Sequence, residues 1–559
     1  VNYGEQATIA GITAATNASV ILNFATQATG TLTVNEAITA PGTGNILIQS
    51  TRGADTSVTP TGMSDLVVNN TIDAGTGSLS VITAGNQTYG ASARLQTTNQ
   101  SIDVLSSQSV GNITMNPAAT FVSEGGNIRV FAGIEAGGSA SGSIALGVID
   151  ARKTSVAQSG WGSVSVGTTG GLITDAAQGD DATAGNVNIY ANEIRLSATG
   201  TGGFGTGGQS VELEAIKLSA EAIGTGGIFL ADPTALVIGQ TSAITVQRVG
   251  VSSLTAKTDA SASDIISAGH VVLAAAGLTV SEGDSDDTGI SAAGNVRLES
   301  VGTGNDLVID ADVETSSGNV TVLSARDISV NADVLSGGGS IQMTAARNFT
   351  QSQGTHQIDS RTVALTAGGD VAIEATSGAL TIESITASTG AVRLVAGTNI
   401  VDGDAADSSE TAIDVTAGAL VLVAGNGAGA ASNYIETSIG SLAASAGSGG
   451  VFVNETDGLT IGSVSTGVYS IGLNGQTPAS KTNAAAVNGL TTAAGAVGIV
   501  VDSGALTVAQ AVAASGSADI LLSAAGSSAG GALALNASVT SGTGRISIIN
   551  ARGAISLGA

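Results

Sequence analysis

A repeat of about 21 residues constrains the fold of this chain more than any other feature of its sequence. Gly318–Val330 aligns with Gly339–Gln351, and Gly, apolar, Ala, Arg and apolar residues recur in place. Segments that begin at Gly369 and Gly390 repeat with the same spacing. Apolar residues alternate with polar ones in each copy, which is the period of a β-strand with one buried face. Each repeat is therefore predicted to contain two or three short strands and no helix.

Strands this short, separated by Gly, Asn, Asp and Ser, leave no room for a crossover helix or for the strands of a sandwich. A chain that coils, so that each strand lies on the matching strand of the previous coil, buries the alternating apolar residues in a narrow interior. We therefore predict an all-β parallel β-helix of roughly 21-residue coils. The Gly at each strand start supplies a tight corner or leaves out a Cβ where coils stack closely.

The Gly-led pattern recurs from Gly44 to Gly544, and the composition is uniform along the 559 residues. Residues 1–559 are therefore predicted to form one continuous β-helical shaft. Because the chain opens on Val1 and stops within the patterned run Ala554–Leu557, we expect it to be a segment of a longer protein. A longer internal repeat covers approximately residues 173–240 and 400–463, where Phe229 aligns with Phe452.

Charge and composition exclude several classes of function. The net charge of −27, with 17 Lys and Arg, has the wrong sign for binding a phosphate backbone, so no nucleic acid is expected as a partner. The absence of Cys excludes disulfides, cysteine-ligated metals and a thiol nucleophile. No stretch has the ~18 consecutive apolar residues of a membrane span.

Two groups of closely spaced carboxylates are candidate Ca²⁺ sites, because Ca²⁺ takes six to eight oxygen ligands and tolerates irregular loops. The alternative is that they are solvated turns that add charge and solubility. No other cofactor is expected. The candidate ligands are Asp284, Asp286 and Asp287 in the first group, and Asp402, Asp404 and Asp407 in the second.

Trp161 is the only Trp of the chain and lies between two Gly residues, close to Arg152 and Lys153. Such a Trp is a candidate contact for a sugar or a protein, and the alternative is that it packs over a corner of the coil. Paired acids such as Asp180 and Asp181 are weighed as the acid and base of a glycosidase. Since the chain is poor in aromatic residues, at 2%, no sugar-binding groove is evident and no enzyme activity is predicted.

The repeats at 318–338 and 369–389 resemble those of filamentous haemagglutinin-like adhesins, large secreted surface proteins of Gram-negative bacteria. This resemblance implies a right-handed β-helix, export to the cell surface and a role in adhesion or fibres. We therefore expect an extracellular structural shaft that displays surfaces rigidly, associates with itself end to end or laterally, and contacts a cell-surface or matrix glycan or protein. The alternative is a carbohydrate-binding or polysaccharide-cleaving β-helix.

Overall fold

The structure, a computed structural model, describes residues 11–24, 30–50, 64–107, 111–135, 142–177, 186–352, 364–404, 412–524 and 531–558. The chain divides into two compact units, residues 1–276 and 277–559, which are called unit 1 and unit 2 below. The described residues of both units are almost entirely strands and turns, with one short 3₁₀ helix, Gln158–Gly160. None of the described helices is long and apolar enough to cross a membrane.

Parallel pairing between successive coils builds each unit. In unit 2, Val320–Ser324 lies in register with Ile341–Ala345, 21 residues further along the chain. In unit 1 the corresponding step is longer, as from Ile102 to Ile128 and from Ile128 to Val164. These ladders confirm the predicted all-β parallel β-helix, and they show that coil length varies along the chain. The right-handed sense and the single continuous shaft stay predictions.

The Gly at the start of a strand is required by the close approach of successive coils. A Cβ placed on Gly339 would lie 2.2 Å from the carbonyl oxygen of Gly318, and one on Gly318 would lie 2.2 Å from that of Gly294. Neither Gly318 nor Gly339 has a positive φ. Of the two reasons given above, the missing Cβ therefore explains these glycines.

The small polar residue that follows each of these glycines joins one coil to the next. The Asn295 side chain accepts a hydrogen bond from the backbone N–H of Asn319 at 2.8 Å, and Asn319 accepts one from Ser340 at 2.9 Å. An Asp takes the same role in other columns, as where Asp312 accepts from the N–H of Asp333 at 2.9 Å. Each column thus satisfies backbone donors that a corner would otherwise leave unpaired.

Inward side chains fill a narrow apolar interior. Val320 and Val322 are fully buried on one strand, and Ile341 and Met343 stack on them in the next coil. Since each coil buries its apolar residues only against its neighbours, the stack is stable as an array rather than coil by coil.

Two antiparallel hairpins leave the coils and lie back on earlier strands of their own unit. In unit 1, the hairpin of Ile244–Val249 and Leu254–Asp259 covers outward side chains of four strands. Its contacts include a 2.8 Å bond from the Val249 N–H to Ser80 and a 2.6 Å bond from Ser165 to Asp259. An ionic network joins it to the coils, and its members are Asp103, Arg129, Glu135, Arg248, Lys257 and Asp259.

In this network, Asp103 is fully buried and pairs with both Arg248 and Arg129. Burial alone would raise the pKa of Glu135, but hydrogen bonds from Arg248 and the charges of Arg129 and Arg248 lower the pKa to about 2. The network under the hairpin therefore contains three acidic and three basic side chains, whose charges cancel.

Hydrogen bonds and an ion pair hold the hairpin region of unit 2, residues 463–488, against the coils. Ile471 donates to Thr321 at 3.0 Å and its carbonyl accepts from Arg297 at 2.7 Å. Lys481 pairs with Asp370 at 3.5 Å. Residues 224–239 align with residues 447–462 at the end of the long internal repeat. Each hairpin region directly follows one of these two aligned stretches.

The strands of unit 1 have the following bounds. They are Ile12–Thr13, Val20–Phe24, Gly30–Val34, Ile38–Thr39, Ile46–Ser50, Ser64–Val68, Thr71–Asp73, Leu79–Thr83, Gln87–Tyr89, Arg94–Gln96, Ile102–Ser106, Ile113–Met115, Thr120–Val122, Ile128–Ala132, Ile144–Leu146, Val148–Asp150, Val164–Thr168, Ile173–Asp175, Ile189–Tyr190, Glu193–Ala198, Val211–Glu214, Lys217–Ala222, Ile228–Ile238, Ile244–Val249, Leu254–Asp259 and Ile265–Ser267. The division between the units falls within strand Val271–Val280.

The remaining strands belong to unit 2. They are Thr288–Ala292, Val296–Ser300, Leu307–Ile309, Asp312–Thr315, Val320–Ser324, Ile328–Val330, Val334–Ser336, Ile341–Ala345, Phe349–Gln351, Leu365–Ala367, Val371–Ala375, Leu380–Ile382, Ile385–Ala396, Asn399–Asp402, Val415–Ala424, Gly427–Ala428, Ile435–Ala446, Gly450–Glu455, Leu459–Ile461, Ser463–Val464, Gly467–Val468, Thr482–Asn483, Val487–Asn488, Leu490–Thr492, Val497–Val501, Leu506–Val508, Val512–Ala514, Ile520–Ala524, Leu533–Leu535, Val539–Ser541, Ile546–Asn550 and Ile555–Leu557.

We predict that Arg129→Leu destabilises unit 1 by about 3 kcal/mol, because it leaves buried acids without part of their counter-charge. Urea unfolding followed by circular dichroism measures the change. Arg347→Leu is the control, since Arg347 pairs with Asp327 at an exposed position and its loss should change stability far less. Equal effects of the two substitutions would contradict the prediction.

Candidate functional site

Three buried acidic side chains meet at one corner of unit 2. They are Asp402, Asp414 and Glu436, which are 4%, 1% and 8% exposed. Each offers a carboxylate oxygen that lies within 4.8 Å of the oxygens offered by the other two. Charged groups at this depth are rare unless they are paired or bind a metal, so we call this set the buried acid cluster and take it as the candidate site.

Strand register brings the three residues of the cluster together. Asp402 ends the strand Asn399–Asp402, and Asp414 directly precedes the strand Val415–Ala424. Val415 pairs with Thr437 on the following coil, so Asp414 lies beside Glu436. In one earlier coil the same corner is short, between Val330 and Val334. The cluster thus forms where the two ends of a longer corner segment approach each other.

Hydrogen bonds satisfy only part of the cluster. Asp414 accepts a 2.9 Å bond from the N–H of Glu436 through Oδ2, and Asp402 accepts a 3.1 Å bond from the N–H of Asp404 through Oδ1. Within the described ranges, Asp414 Oδ1 and Asp402 Oδ2 are buried and have no hydrogen-bond partner. The same holds for Oδ1 of Asp404 and Oε2 of Glu383, which lie at the edge of the cluster.

Burial and mutual repulsion hold protons on these carboxyl groups. Burial raises the pKa of Asp402 to about 8, with a further contribution from the neighbouring Asp404. Burial and the charge of Asp402 raise the pKa of Asp414 to about 9. The pKa of Glu383 is also raised, by burial and by the charge of Asp404. In the described part of the chain, no Lys or Arg forms an ion pair with Asp402 or Asp414.

Unit 1 contains an equivalent corner in which one carboxylate is replaced by an amide. Asp175, Asn188 and Glu212 occupy the positions that the sequence aligns with Asp402, Asp414 and Glu436. Each of the three is at most 5% exposed. The Asn188 side-chain carbonyl accepts a 3.0 Å bond from the N–H of Glu212, as Asp414 does from Glu436.

The amide of Asn188 gives this corner a side-chain hydrogen-bond donor. Its Nδ2 donates to Asp175 Oδ1 at 2.7 Å, and Gln209 donates to the other oxygen of Asp175 at 3.4 Å. The side chain of Asp414 has no N–H to donate, so Asp402, the acid that matches Asp175, receives no such amide bond. Asp404 also stands where unit 1 has Ala177, which adds a second carboxylate.

A second matching pair of buried acids lies nearby. Asp232 in unit 1 accepts a 3.0 Å bond from the N–H of Ala215, and Glu455 in unit 2 accepts a 3.1 Å bond from the N–H of Ile439. Burial raises the pKa of Asp232 to about 6 and that of Glu455 to about 7. Backbone and hydroxyl donors bind both carboxylates, so these two acids are internally satisfied, unlike the buried acid cluster.

The sequence predicted two of the residues found at this corner and missed two. Asp402 belongs to the buried acid cluster and Asp404 lies beside it, whereas Asp407 lies outside the described residues. Asp414 and Glu436 were not among the candidates. The alignment of residues 173–240 with 400–463 contains a signal for Asp414. It pairs Asp414 with Asn188, so it shows that one copy of the repeat has an additional acid at this position.

The other predicted acidic group lies in a turn. Asp284 and Asp286 are exposed, and Asp287 is half-buried with φ of 67°. The Glu282 carboxylate accepts a 2.8 Å bond from the N–H of Asp284, and Asp286 accepts a 2.9 Å bond from Thr288. These bonds are typical of a turn capped by its own side chains.

Trp161 is half-buried beside the short 3₁₀ helix. Its indole N–H donates to the carbonyl of Val156 at 3.2 Å. Nearby, the Arg152 guanidinium lies over the Tyr190 ring at 3.7 Å and pairs with Asp150 at 2.7 Å. Asp180 and Asp181, the pair weighed as the acid and base of a glycosidase, lie outside the described residues.

Comparison with protein-family models, with curated proteins and with solved structures gives no match for this chain. The chemistry of the buried acid cluster is therefore argued from its geometry. Carboxylates that face one another in a low-dielectric site must share a proton or bind a cation.

We predict that unit 2 loses stability as the pH rises from about 4 to about 9 when divalent cations are removed. The folded-state pKa values of Asp402 and Asp414, about 8 and about 9, exceed the ordinary value of 3.8, so ionisation favours the unfolded chain. Thermal unfolding in a chelator at several pH values measures the effect.

Asp414→Asn is the matched control for this pH dependence, because the amide does not ionise and donates as Asn188 does. The substitution should make the profile shallower between about pH 4 and about pH 9, the window between the unfolded-state and folded-state pKa values of Asp414. A wild-type profile that is flat or rises over this range would contradict the prediction.

Proposed function

We propose that the protein is a structural and adhesive shaft or fibre component at a bacterial cell surface. It acts extracellularly by displaying its faces on a rigid β-helix and by associating with further copies end to end or laterally. The observation that carries the proposal is the parallel stacking of coils, in which each strand is bonded to strands of the coils before and after it. The resemblance of the repeats at 318–338 and 369–389 to filamentous haemagglutinin-like adhesins supports the same function.

Rigidity follows from the direction of the bonds. Backbone hydrogen bonds and the Asn and Asp columns run from coil to coil, so bending or stretching the stack strains many bonds at once. A narrow interior that is close-packed with Val, Ile and Ala also resists compression. These properties suit a protein whose role is to hold a surface at a distance.

Display is supported by the outward surface. The hairpin of unit 1 and the hairpin region of unit 2 cover parts of the coil faces and present side chains that the coils themselves do not. The chain carries a net charge of −27, which keeps such a surface soluble and repels other acidic polymers. Trp161 and the stacked pair of Arg152 and Tyr190 are the proposed contacts for a glycan or protein partner.

Self-association is supported by the last described coil. Ile546, Ile555 and Leu557 are 41%, 48% and 77% exposed, and their strands pair with the preceding coil. The outer edge of a β-helical coil offers backbone groups and apolar side chains that a further coil can cover. That coil belongs either to a continuation of the chain or to another copy.

We predict that the chain forms elongated particles whose mean length grows with concentration. Electron microscopy and sedimentation velocity measure length and association. The double substitution Ile555→Lys and Leu557→Lys should shift the distribution toward single chains, because it places charge on the apolar edge. Val301→Lys, at an exposed apolar residue away from this edge, is the control and should leave association unchanged.

Compact particles that remain single chains at every concentration would overturn the fibre proposal. Release of oligosaccharides from an acidic polysaccharide would instead favour the carbohydrate-active alternative. Adhesion is tested separately, by measuring whether beads coated with the chain bind to cells and whether Trp161→Ala reduces that binding.

A further inference from the structure

We propose that the buried acid cluster of unit 2 is a structural calcium site, in which Asp402, Asp414 and Glu436 supply carboxylate ligands to one Ca²⁺ ion. Asp404 and Glu383 lie beside it and complete its acidic surroundings. This site goes beyond the shaft function, since it concerns what keeps one corner of unit 2 folded.

The spacing of the oxygens fits calcium. Ca²⁺ binds oxygen at about 2.3–2.6 Å, so two ligands on opposite sides of the ion lie about 4.8 Å apart. The ligand oxygens of Asp402, Asp414 and Glu436 all lie within 4.8 Å of one another. This spacing allows one ion placed between them to contact all three.

Buried oxygens without partners point to a missing ligand rather than to a solvated turn. Asp414 is 1% exposed and Asp402 is 4% exposed, and each has one carboxylate oxygen that no described residue donates to. A buried acceptor that is left unsatisfied costs about 1–3 kcal/mol, and more if it is charged. An ion between these oxygens would recover that cost.

The buried acid cluster differs from the ionic network of unit 1 in that Asp402 and Asp414 have no basic partners among the described residues. Asp103 is also fully buried, but two arginines pair with it. Within the described ranges, neither Asp402 nor Asp414 has a basic partner. The positive charge that balances the cluster must therefore come from protons or from a cation.

The equivalent corner of unit 1 shows what a metal-free solution looks like. There Asn188 donates its amide to Asp175 at 2.7 Å, an amide donor that Asp402 lacks. Unit 2 has Asp at this position and a further Asp at 404, where unit 1 has Ala177. Both changes add a hard oxygen ligand and a negative charge, which is the direction expected for a cation site.

Calcium fits the ligand set better than the other common divalent ions. Zn²⁺ favours the nitrogen and sulfur ligands of His and Cys, and the cluster has neither. Mg²⁺ requires a near-ideal octahedron at about 2.0–2.1 Å and retains its water, which a buried and irregular corner disfavours. Ca²⁺ accepts flexible geometry and several carboxylates.

Binding would link two strands of one coil to the strand of the next coil. Asp402 and Asp414 stand at the two ends of the longer corner segment, and Glu436 stands on the next coil. An ion held by all three links the ends of this segment and joins them to the following coil.

Calorimetric titration of the full chain with CaCl₂ at pH 7.5, after treatment with a chelator, tests the site. We expect saturable binding with a dissociation constant on the order of 0.1–1 mM or tighter, as for extracellular calcium modules. Saturating Ca²⁺ should raise the unfolding temperature by about 5 °C over the chelated chain. Mg²⁺ at the same concentration should give a much smaller shift.

Two substitutions separate this site from other acidic groups. Asp414→Asn should weaken Ca²⁺ binding by at least about tenfold while the chelated chain stays folded, because the amide can donate to Asp402 as Asn188 does to Asp175. The double substitution Asp284→Asn and Asp286→Asn is the matched control and should leave the binding at the cluster unchanged.

The reverse substitution in unit 1 gives an independent test. Asn188→Asp should lower the unfolding temperature in chelator, and Ca²⁺ should restore it, because the change leaves Asp175 without its amide donor. The proposal is overturned if the wild-type chain shows no saturable Ca²⁺ uptake up to several millimolar, or if Asp414→Asn binds Ca²⁺ as the wild type does. The first result would leave shared protons as the stabilising group, and neither result bears on whether the chain forms fibres.

Discussion

The closeness with which one coil lies on the next governs the rest of this structure. At Gly318 and Gly339 the backbone of one coil fills the space that a Cβ would need, so only glycine fits. The residue that follows then stands at the right height for its side chain to accept the N–H of the next coil. Because coils approach this closely, inward side chains must pack against those of the adjacent coils, and polar atoms inside must find partners within the same or the adjacent coil.

The buried acid cluster departs from the rule that buried polar atoms find partners in the same or the adjacent coil. The other buried acids described above differ from it. Asp103, Asp175, Asp232 and Glu455 are also buried, yet each receives donors from a neighbouring strand, an amide or an arginine. At the corner between Asp402 and Asp414, each of two neighbouring carboxylates keeps one buried oxygen without a donor. Natural sequences depart from local consistency mainly at functional sites, which is why this corner is the one to test.

How much of this could be predicted from the sequence differs between the coils and the site. The alternation of Val320 and Val322 and the recurrence of Gly318 and Gly339 predict the strands and their stacking, because each depends on residues close in sequence. The hairpin at Ile244–Val249 could not be predicted, since its alternating residues look like one more coil strand. The cluster was found only in part, because Asp402, Asp414 and Glu436 meet through a strand register that depends on the lengths of the intervening corners.

The hairpin of unit 1 has a consequence for how that unit unfolds. In a simple solenoid each coil contacts only its neighbours, so coils can open one after another from an end. The bonds from this hairpin to Ser80, Asp103, Arg129 and Ser165 span four strands that belong to successive coils. Opening any one of these coils also strains the hairpin and the others that it contacts. We therefore expect the hairpin to couple these four coils, so that they open together rather than one after another.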